Sequence, residues 1–449
     1  MIRCLRELVS PDGVGLALPH ERVLHNIGSM DALCDVNDLE IRFEDLIDYR
    51  RAPFAHGGRN LLLLKEDEAF RELERLVRLK TDARKPLVVD VTLPMEGRDV
   101  LMKERLRVAE KLQDLHLVTV TTFKIERLTD AFWLGLSRKE AVERVAATVE
   151  AELLYGIEKE GVVVSPGAIY QQIHSKSDEH SDTELVVVQG LALVQARTGA
   201  PLYLSFSLDE TYGKSREEKD TFLKQVVRVW ISALLAAGAA KEKLVVCHAD
   251  RWCHASCIEE ALYPFLMEVL EFGVSVLFNM VGWLIESDVM LINPCYTSQR
   301  KSGDSFVEEN QEPAPDACLL KCIARLLKDK PKSLFQILLS TNIMQRTQFR
   351  RYGGGGYTYL FEHWKRLMLA KGISLTQWNQ IVNTNVVKLL AWYVPPAAPP
   401  APKHYLQCSI CRTSFEPVEG EYFTKYAFIY CGSKCLRRHS RQKFAPLPA

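Results

Sequence analysis

The sequence predicts an α/β chain: a (β/α)8 barrel of the TIM type, followed by a small module stapled by zinc. Three observations predict it. Short β-branched runs alternate with longer helical patterns through most of the chain, as repeated strand-then-helix units require. Eight such runs can be counted, each nearly continuously apolar, as strands buried on both faces should be. After Tyr393 the texture breaks abruptly, and a short tail beyond the break holds four of the twelve cysteines.

The first strand is "VGLALPH" (14–20), and the second and third are "PLVVDVT" (86–92) and "LHLVTVTTF" (115–123). "GVVVSPGAI" (161–169), "PLYLSFS" (201–207) and "KLVVCHA" (243–249) supply the next three. "VSVLFNM" (274–280) and "FQILLS" (335–340) complete the eight. Residues 100–113, 138–157, 184–198 and 216–238 place apolar side chains at three- and four-residue spacing and read as helices between them. Chemistry in such barrels lies at the C-terminal strand ends. Those ends are His20, Thr92 to Met95, Thr122 to Lys124, Ala168 to Gln171, Ser205 to Ser207, His248 to Asp250, Asn279, and Thr341 to Asn342.

At 449 residues the chain has room for one large domain and one appendage. The expected boundaries are 1–393 for the barrel, 394–404 for a Pro/Ala-rich linker and 405–449 for the module. "VPPAAPPAPKH" carries five prolines and favours extended polyproline conformation, which makes it a semi-rigid spacer. The polar stretch 298–316 reads as a surface insertion between the seventh and eighth units. Lys and Arg total 57 and so do Asp and Glu, so net charge directs the chain neither to nucleic acid nor to a membrane. Charged residues interrupt "MIRCLRELVSPDG", which does not read as a secretory signal, and the thinly spread cysteines suit a reducing compartment. A cytoplasmic or other intracellular location is expected, without membrane insertion.

Four stretches carry a family resemblance: "LPHER"; "GRDVLMKERLRVAEKLQDLHLVTVTTF"; "VVCHADR"; and "ILLSTNIMQRTQFRRYGGGGYTYLFEHWKRLMLAKGI". Together they resemble the phosphotriesterase-like branch of the amidohydrolase superfamily over roughly residues 1–393. The resemblance implies a distorted barrel holding two divalent metals. Its ligands would be a His-x-His pair after strand one, a carboxylated Lys or a Glu after strand four, one His each after strands five and six, and an Asp after strand eight.

This chain keeps little of that set. His20 remains of the first pair, but Arg22 replaces its partner, and a guanidinium offers no lone pair to a cation. "SPGAIYQQ" after strand four has Tyr170 and glutamines but no Lys or Glu, and strand five ends with Ser205 or Phe206 where a His belongs. His248 and Asp250 persist after strand six, and Asn342 stands in place of the strand-eight Asp. Two histidines fall short of a catalytic zinc site, which needs three protein ligands and an open position. Accordingly His20, Arg22, Tyr170, Ser205, His248, Asp250 and Asn342 are expected to line a vestigial pocket without catalytic metal. Arg22 is expected to pair with Asp250 or Glu21 rather than bind an anionic ligand.

"CHADRWCHASC" gathers Cys247, His248, Cys253, His254 and Cys257, yet lacks a C-x2-C knuckle and reads as buried structural thiols. Cys247 and His248 are adjacent and should point to opposite faces, which argues against a nucleophile and base pair.

In the tail, "CSIC" (408–411) and "YCGSKCLRRH" (430–439) give C-x2-C, nineteen residues, then C-x3-C. Cys431 and Cys435 stand one helical turn apart, so Cys408, Cys411, Cys431 and Cys435 can converge on one structural zinc. About 45 residues bury too little core to fold unaided, which is why a metal staple is needed. The pattern resembles treble-clef-like zinc modules of the MYND or FCS type, which implies a protein partner. His439 is a possible additional ligand. "LRRHSRQKF" is basic, but a solvated helix face explains it better than nucleic-acid binding. The function expected is a catalytically impaired barrel serving as a scaffold or binding protein. The alternative is a metal-dependent hydrolase of an ester, lactone or N-acyl amide with an atypical site.

Overall fold

Alternate residues of a strand point to opposite faces, and in this chain the two faces meet different neighbours. Leu87, Val89, Val118, Val120, Tyr203, Val245, Leu277 and Leu338 pack inward into one buried cluster. The residues beside them, such as Val88, Leu117, Leu204, Val246, Phe278 and Leu339, pack outward into a second cluster shared with the helices. The computed structural model describes residues 1–27, 40–51, 57–124, 135–159, 161–175, 182–208, 216–253, 262–283, 316–395, 405–418 and 420–445. The insertion at 298–315, His254, Cys257 and the linker from residue 396 lie outside them.

Eight strands make one sheet: β1 (Val14–Glu21), β2 (Lys85–Asp90), β3 (His116–Thr121), β4 (Pro166–Ser175), β5 (Leu202–Leu208), β6 (Leu244–Val246), β7 (Ser275–Phe278) and β8 (Ile337–Leu339). They run in chain order across the sheet, every pair parallel. Helices α1 (Glu66–Arg78), α2 (Met102–Lys111), α3 (Arg138–Tyr155), α4 (Asp182–Thr198), α5 (Arg216–Ala236), α6 (Leu262–Glu271) and α7 (Asp316–Asp329) alternate with the strands. This is the expected TIM-type (β/α)8 barrel. The start of α3 follows from local chemistry. Ser137 accepts from the Glu140 amide while the Glu140 carboxylate accepts from the Ser137 amide, a capping box contributing about 1 kcal/mol.

The fourth strand departs from expectation. Val162–Val164 do not enter the barrel; they pair antiparallel with Ile157–Lys159 as a small hairpin. The barrel strand begins at Pro166, a first-residue position where a missing N–H costs no ladder bond, and it runs on to Ser175. Tyr170 therefore lies inside the barrel instead of at its rim.

The ladder stops at β1 on one side and β8 on the other, and the buried Glu21 carboxylate spans that seam. Its Oε1 accepts from the Ser340 hydroxyl at 2.7 Å, the Thr341 amide at 2.7 Å and the Thr341 hydroxyl at 2.8 Å, while Oε2 accepts from the Ile343 amide at 2.8 Å. Side-chain bonds thus close what backbone bonds leave open. At the opposite end of the barrel Ile2, Cys4 and Val9 pack with Val386, Leu389 and Leu390 beneath the inner cluster.

The chain divides into two compact units, Met1–Tyr393 and Val394–Ala449. The second has a hairpin Leu406–Gln407/Ser414–Phe415, a hairpin Phe423–Lys425/Phe428–Tyr430 and a helix Ser433–Arg441. Cys408, Tyr430 and His439 are its buried centre.

Candidate functional site

At the C-terminal end of the barrel, β1 delivers "HER" into a fully buried polar cluster. Arg22 is 3% exposed. Its Nη1 donates to Asn342 Oδ1 at 2.7 Å, and its Nη2 donates to Glu96 Oε1 at 2.9 Å. Glu96 follows β2, and its other oxygen accepts from the Leu93 amide at 2.9 Å. The expected partners, Asp250 and Glu21, are not the ones used. Glu21 is engaged at the seam, and Asp250 accepts from the backbone amides of Asn279 at 2.9 Å and Met280 at 3.1 Å.

The fixed position of Arg22 comes partly from "YGGGGY". Tyr357 donates its hydroxyl to the Arg22 carbonyl at 2.6 Å. A side chain at Gly354 would place its Cβ 2.2 Å from the Gln348 carbonyl oxygen, so only glycine lets this loop fold back on itself. Arg346 holds the preceding segment through a buried fork to Glu68, at 2.7 and 3.0 Å.

His20 and His248 face each other with ring centroids 5.4 Å apart and planes at 81°. One carboxamide joins them: Asn279 Nδ2 lies 3.3 Å from His20 Nδ1 and 3.1 Å from His248 Nδ1. Asn279 Oδ1 accepts from the His248 amide at 3.0 Å. The other ring nitrogen of His20 meets the Tyr170 hydroxyl at 3.1 Å. The strand ends just before His248, whose φ of 59° turns the chain so that Asp250 reaches the amides after β7. Asn342 also has positive φ, 45°, a conformation asparagine tolerates better than most residues. Ser205 is buried in β5, in register with Gln172 of β4, and Phe206 packs on the outer, helix-facing side. Cys247 packs in the inner cluster and Cys253 in the outer one.

Burial first, and then the Arg22 charge, hold the His20 and His25 pKa values well below the usual histidine range. Burial, with His20, Arg251 and Arg22 nearby, does the same to His248. Burial pushes Asp250 up to about 6 against the pull of its two amide donors. The cluster is therefore built from neutral imidazoles around one guanidinium.

A two-metal centre of the kind the family resemblance implies does not fit these residues. The two positions that would ligate one cation, Arg22 and Asn342, are bonded to each other. Both nitrogens of His20 already face protein partners. Strand four offers Tyr170, Gln171 and Gln172, none of which supplies an anion. Sequence reasoning missed Glu96 and the bridging role of Asn279. The strand-end rule had reached Asn279 and stopped at Met95, one residue short of Glu96.

In the second unit Cys408, Cys411, Cys431 and Cys435 bring their sulfurs within 4.8 Å of one another, the only such cluster of three or more possible ligands among the described residues. Cys411 and Cys431 sulfurs are 3.6 Å apart, and Cys431 and Cys435 sulfurs 3.7 Å. Four thiolates around zinc at about 2.3 Å sit about 3.8 Å from one another, so this cluster fits the ion. A zinc held there would cross-link the first hairpin to the helix. His439 is no ligand: its Nδ1 meets the Tyr430 hydroxyl at 2.9 Å and its Nε2 the Ala445 carbonyl at 2.9 Å, with Phe428 edge-on at 4.7 Å.

Residues 403–447 match the family model of the VATC, the Vms1-associating treble clef domain. The chain is 23% identical to an N-acetyltaurine hydrolase of Salmo salar over 394 residues, covering 86% of this chain and 96% of that protein. It is 23% identical to a phosphotriesterase-related protein of Drosophila melanogaster over 282 residues, covering 63% and 67%. Among solved structures, a resiniferatoxin-binding protein from Rhodobacter sphaeroides superposes with a TM-score of 0.60 at 19% identity, covering 87% of this chain and 94% of that one. A lactonase from Listeria monocytogenes superposes with a TM-score of 0.56 at 14% identity, covering 88% and 99%. Over most of its length the chain is thus similar to N-acetyltaurine hydrolases and to a phosphotriesterase-related protein, it shares the barrel fold of the lactonase, and its residues 403–447 match the VATC treble-clef domain.

Proposed function

We propose that the barrel is non-hydrolytic and serves as a scaffold or binding subunit, with the zinc module making contact with a protein partner. One observation carries this reading: the Arg22 to Asn342 hydrogen bond at 2.7 Å, which commits to each other two positions that would both have to offer lone pairs to one catalytic metal. A guanidinium there repels a dication, and the nearest carboxylate, Glu96, is already its counter-ion. In this reading 1–393, 394–404 and 405–449 are barrel, spacer and partner-binding module, and one structural zinc is the whole metal complement. The family description of the module makes a Vms1-type protein the first partner to test. The described cysteines form no disulfide, which supports a reducing, intracellular location. No described helix is long and apolar enough to cross a membrane.

The facing His20 and His248 with Asp250 nearby favour one second reading, a hydrolase of an ester, lactone or N-acyl amide with an unusual metal site. Turnover decides between them. The intact chain, assayed on N-acetyltaurine and on a simple lactone with added zinc, manganese or cobalt, should stay at the uncatalysed background. Metal-stimulated, saturable hydrolysis of either compound would establish the second reading.

A further inference from the structure

We infer that the outward face of the module helix is a docking surface for an acidic segment of a protein partner; this rests on the proposed partner role and gives it a chemistry. Lys434, Arg437, Arg438 and Arg441 are all exposed on the helix Ser433–Arg441, while His439 is buried and Cys435 and Leu436 are partly covered. The helix carries no acidic residue. Its cations lie three and four positions apart, where like charges repel. Lys434 sits in the first turn, where the helix dipole disfavours a positive charge. Arg438 and Arg441 suit the dipole in the last turn, but Lys434 and Arg437 gain nothing from it, so the full stripe is more than the helix needs.

Just beyond the C-terminal end of the helix lies an aromatic ledge. The Phe444 ring lies 5.5 Å from His439 and 5.5 Å from Tyr426, which is 77% exposed. The Lys425 ammonium sits 4.4 Å over the Phe444 ring. Residues 405–449 contain seven Lys and Arg against three Glu, whereas the remainder of the chain has the opposite excess. Two helical turns of cations, about 10 Å long, match one short segment with Glu or Asp at the same spacing and one apolar anchor for Tyr426. A nucleic acid fits less well, because a lysine already covers the face of Phe444 and the rest of the chain is acidic.

The test uses the intact zinc-loaded chain and a fluorescent helical peptide of about 18 residues, with Glu at three- and four-residue spacing and Leu on one flank. The peptide should bind, and its Gln counterpart should not. Reversing the stripe together, Lys434→Glu, Arg437→Glu, Arg438→Glu and Arg441→Glu, should weaken binding about tenfold or more while zinc content stays unchanged. Tyr426→Ala, which leaves the stripe intact, should weaken it about threefold. Equal binding of the Glu and Gln peptides, or charge reversal without effect, overturns the inference. So does single-stranded RNA of the same length binding more tightly than the peptide. Cys431→Ser keeps the four cations but loses the module's fold. If it binds the peptide as the native chain does, the folded stripe is not what binds and the inference falls, while the module's partner role stands apart from that result.

Discussion

The barrel mouth and the zinc module are both rich in potential ligands, yet they dispose of them in opposite ways. At the mouth, both ring nitrogens of His20, the Nδ1 of His248, the Asp250 carboxylate and the Asn342 amide oxygen are taken up by hydrogen bonds with neighbouring protein groups, with Arg22 as the central cation. In the module, four sulfurs converge with spacings that match a tetrahedral ion. What distinguishes a metal site is thus not which residues gather but whether their lone pairs are already committed.

Removing metal should separate the two regions most sharply. Zinc bound to such thiolate sites is worth about 10–16 kcal/mol, so Cys431→Ser should unfold the module, read as loss of protease resistance in residues 405–449. The barrel's own unfolding transition should not move. Next comes the buried ion pair. Glu96→Gln leaves Arg22 buried without its counter-charge and should cost about 3–5 kcal/mol in urea unfolding. The double replacement Arg22→Met with Glu96→Leu should recover most of that loss. Arg22→His alone should lower stability and leave hydrolysis at background, because strands four, five and eight still lack ligands.

Acid should act on the mouth through its histidines. Their folded pKa values are lowered, so the unfolded chain takes up protons near pH 6.5 that the folded chain refuses. Stability present above that pH is lost as pH falls. Between about pH 7.5 and 5.5 each of the three removes about 1.4 kcal/mol. Asp250, raised by burial to about 6, works the other way: its ionisation costs stability, so acid returns some, here about 1 kcal/mol. The urea midpoint should therefore be clearly lower at the acid end, and an unchanged midpoint would contradict neutral buried imidazoles. The smallest effect is expected from Tyr357→Phe, which removes one hydrogen bond to the Arg22 carbonyl and should cost about 1 kcal/mol in the same measurement.

How much of this was legible in the sequence depended on range. The Cys4 site was legible because each half is local, a knuckle and a helical turn. The eight strands were legible because alternation is local too, except where "GVVVSPGAI" ran two elements together and the proline marking the true start was passed over. The residents of the mouth could be named from the strand-end rule. Their pairing could not, because Glu96 lies 74 positions from Arg22 and meets it only once the barrel has closed. Glu21 and Asp250, nearer or better placed in sequence, had already been claimed by the amides of Thr341 and Ile343 and of Asn279 and Met280.

Metal stoichiometry of the intact chain tests the central claim most directly. Elemental analysis of the native protein should find one zinc per chain, and the Cys431→Ser protein, with its barrel still folded, should contain none. Two or three divalent ions in the native protein, with one or more retained after the cysteine change, would place a metal in the barrel and contradict the assignment of Arg22 as its resident cation.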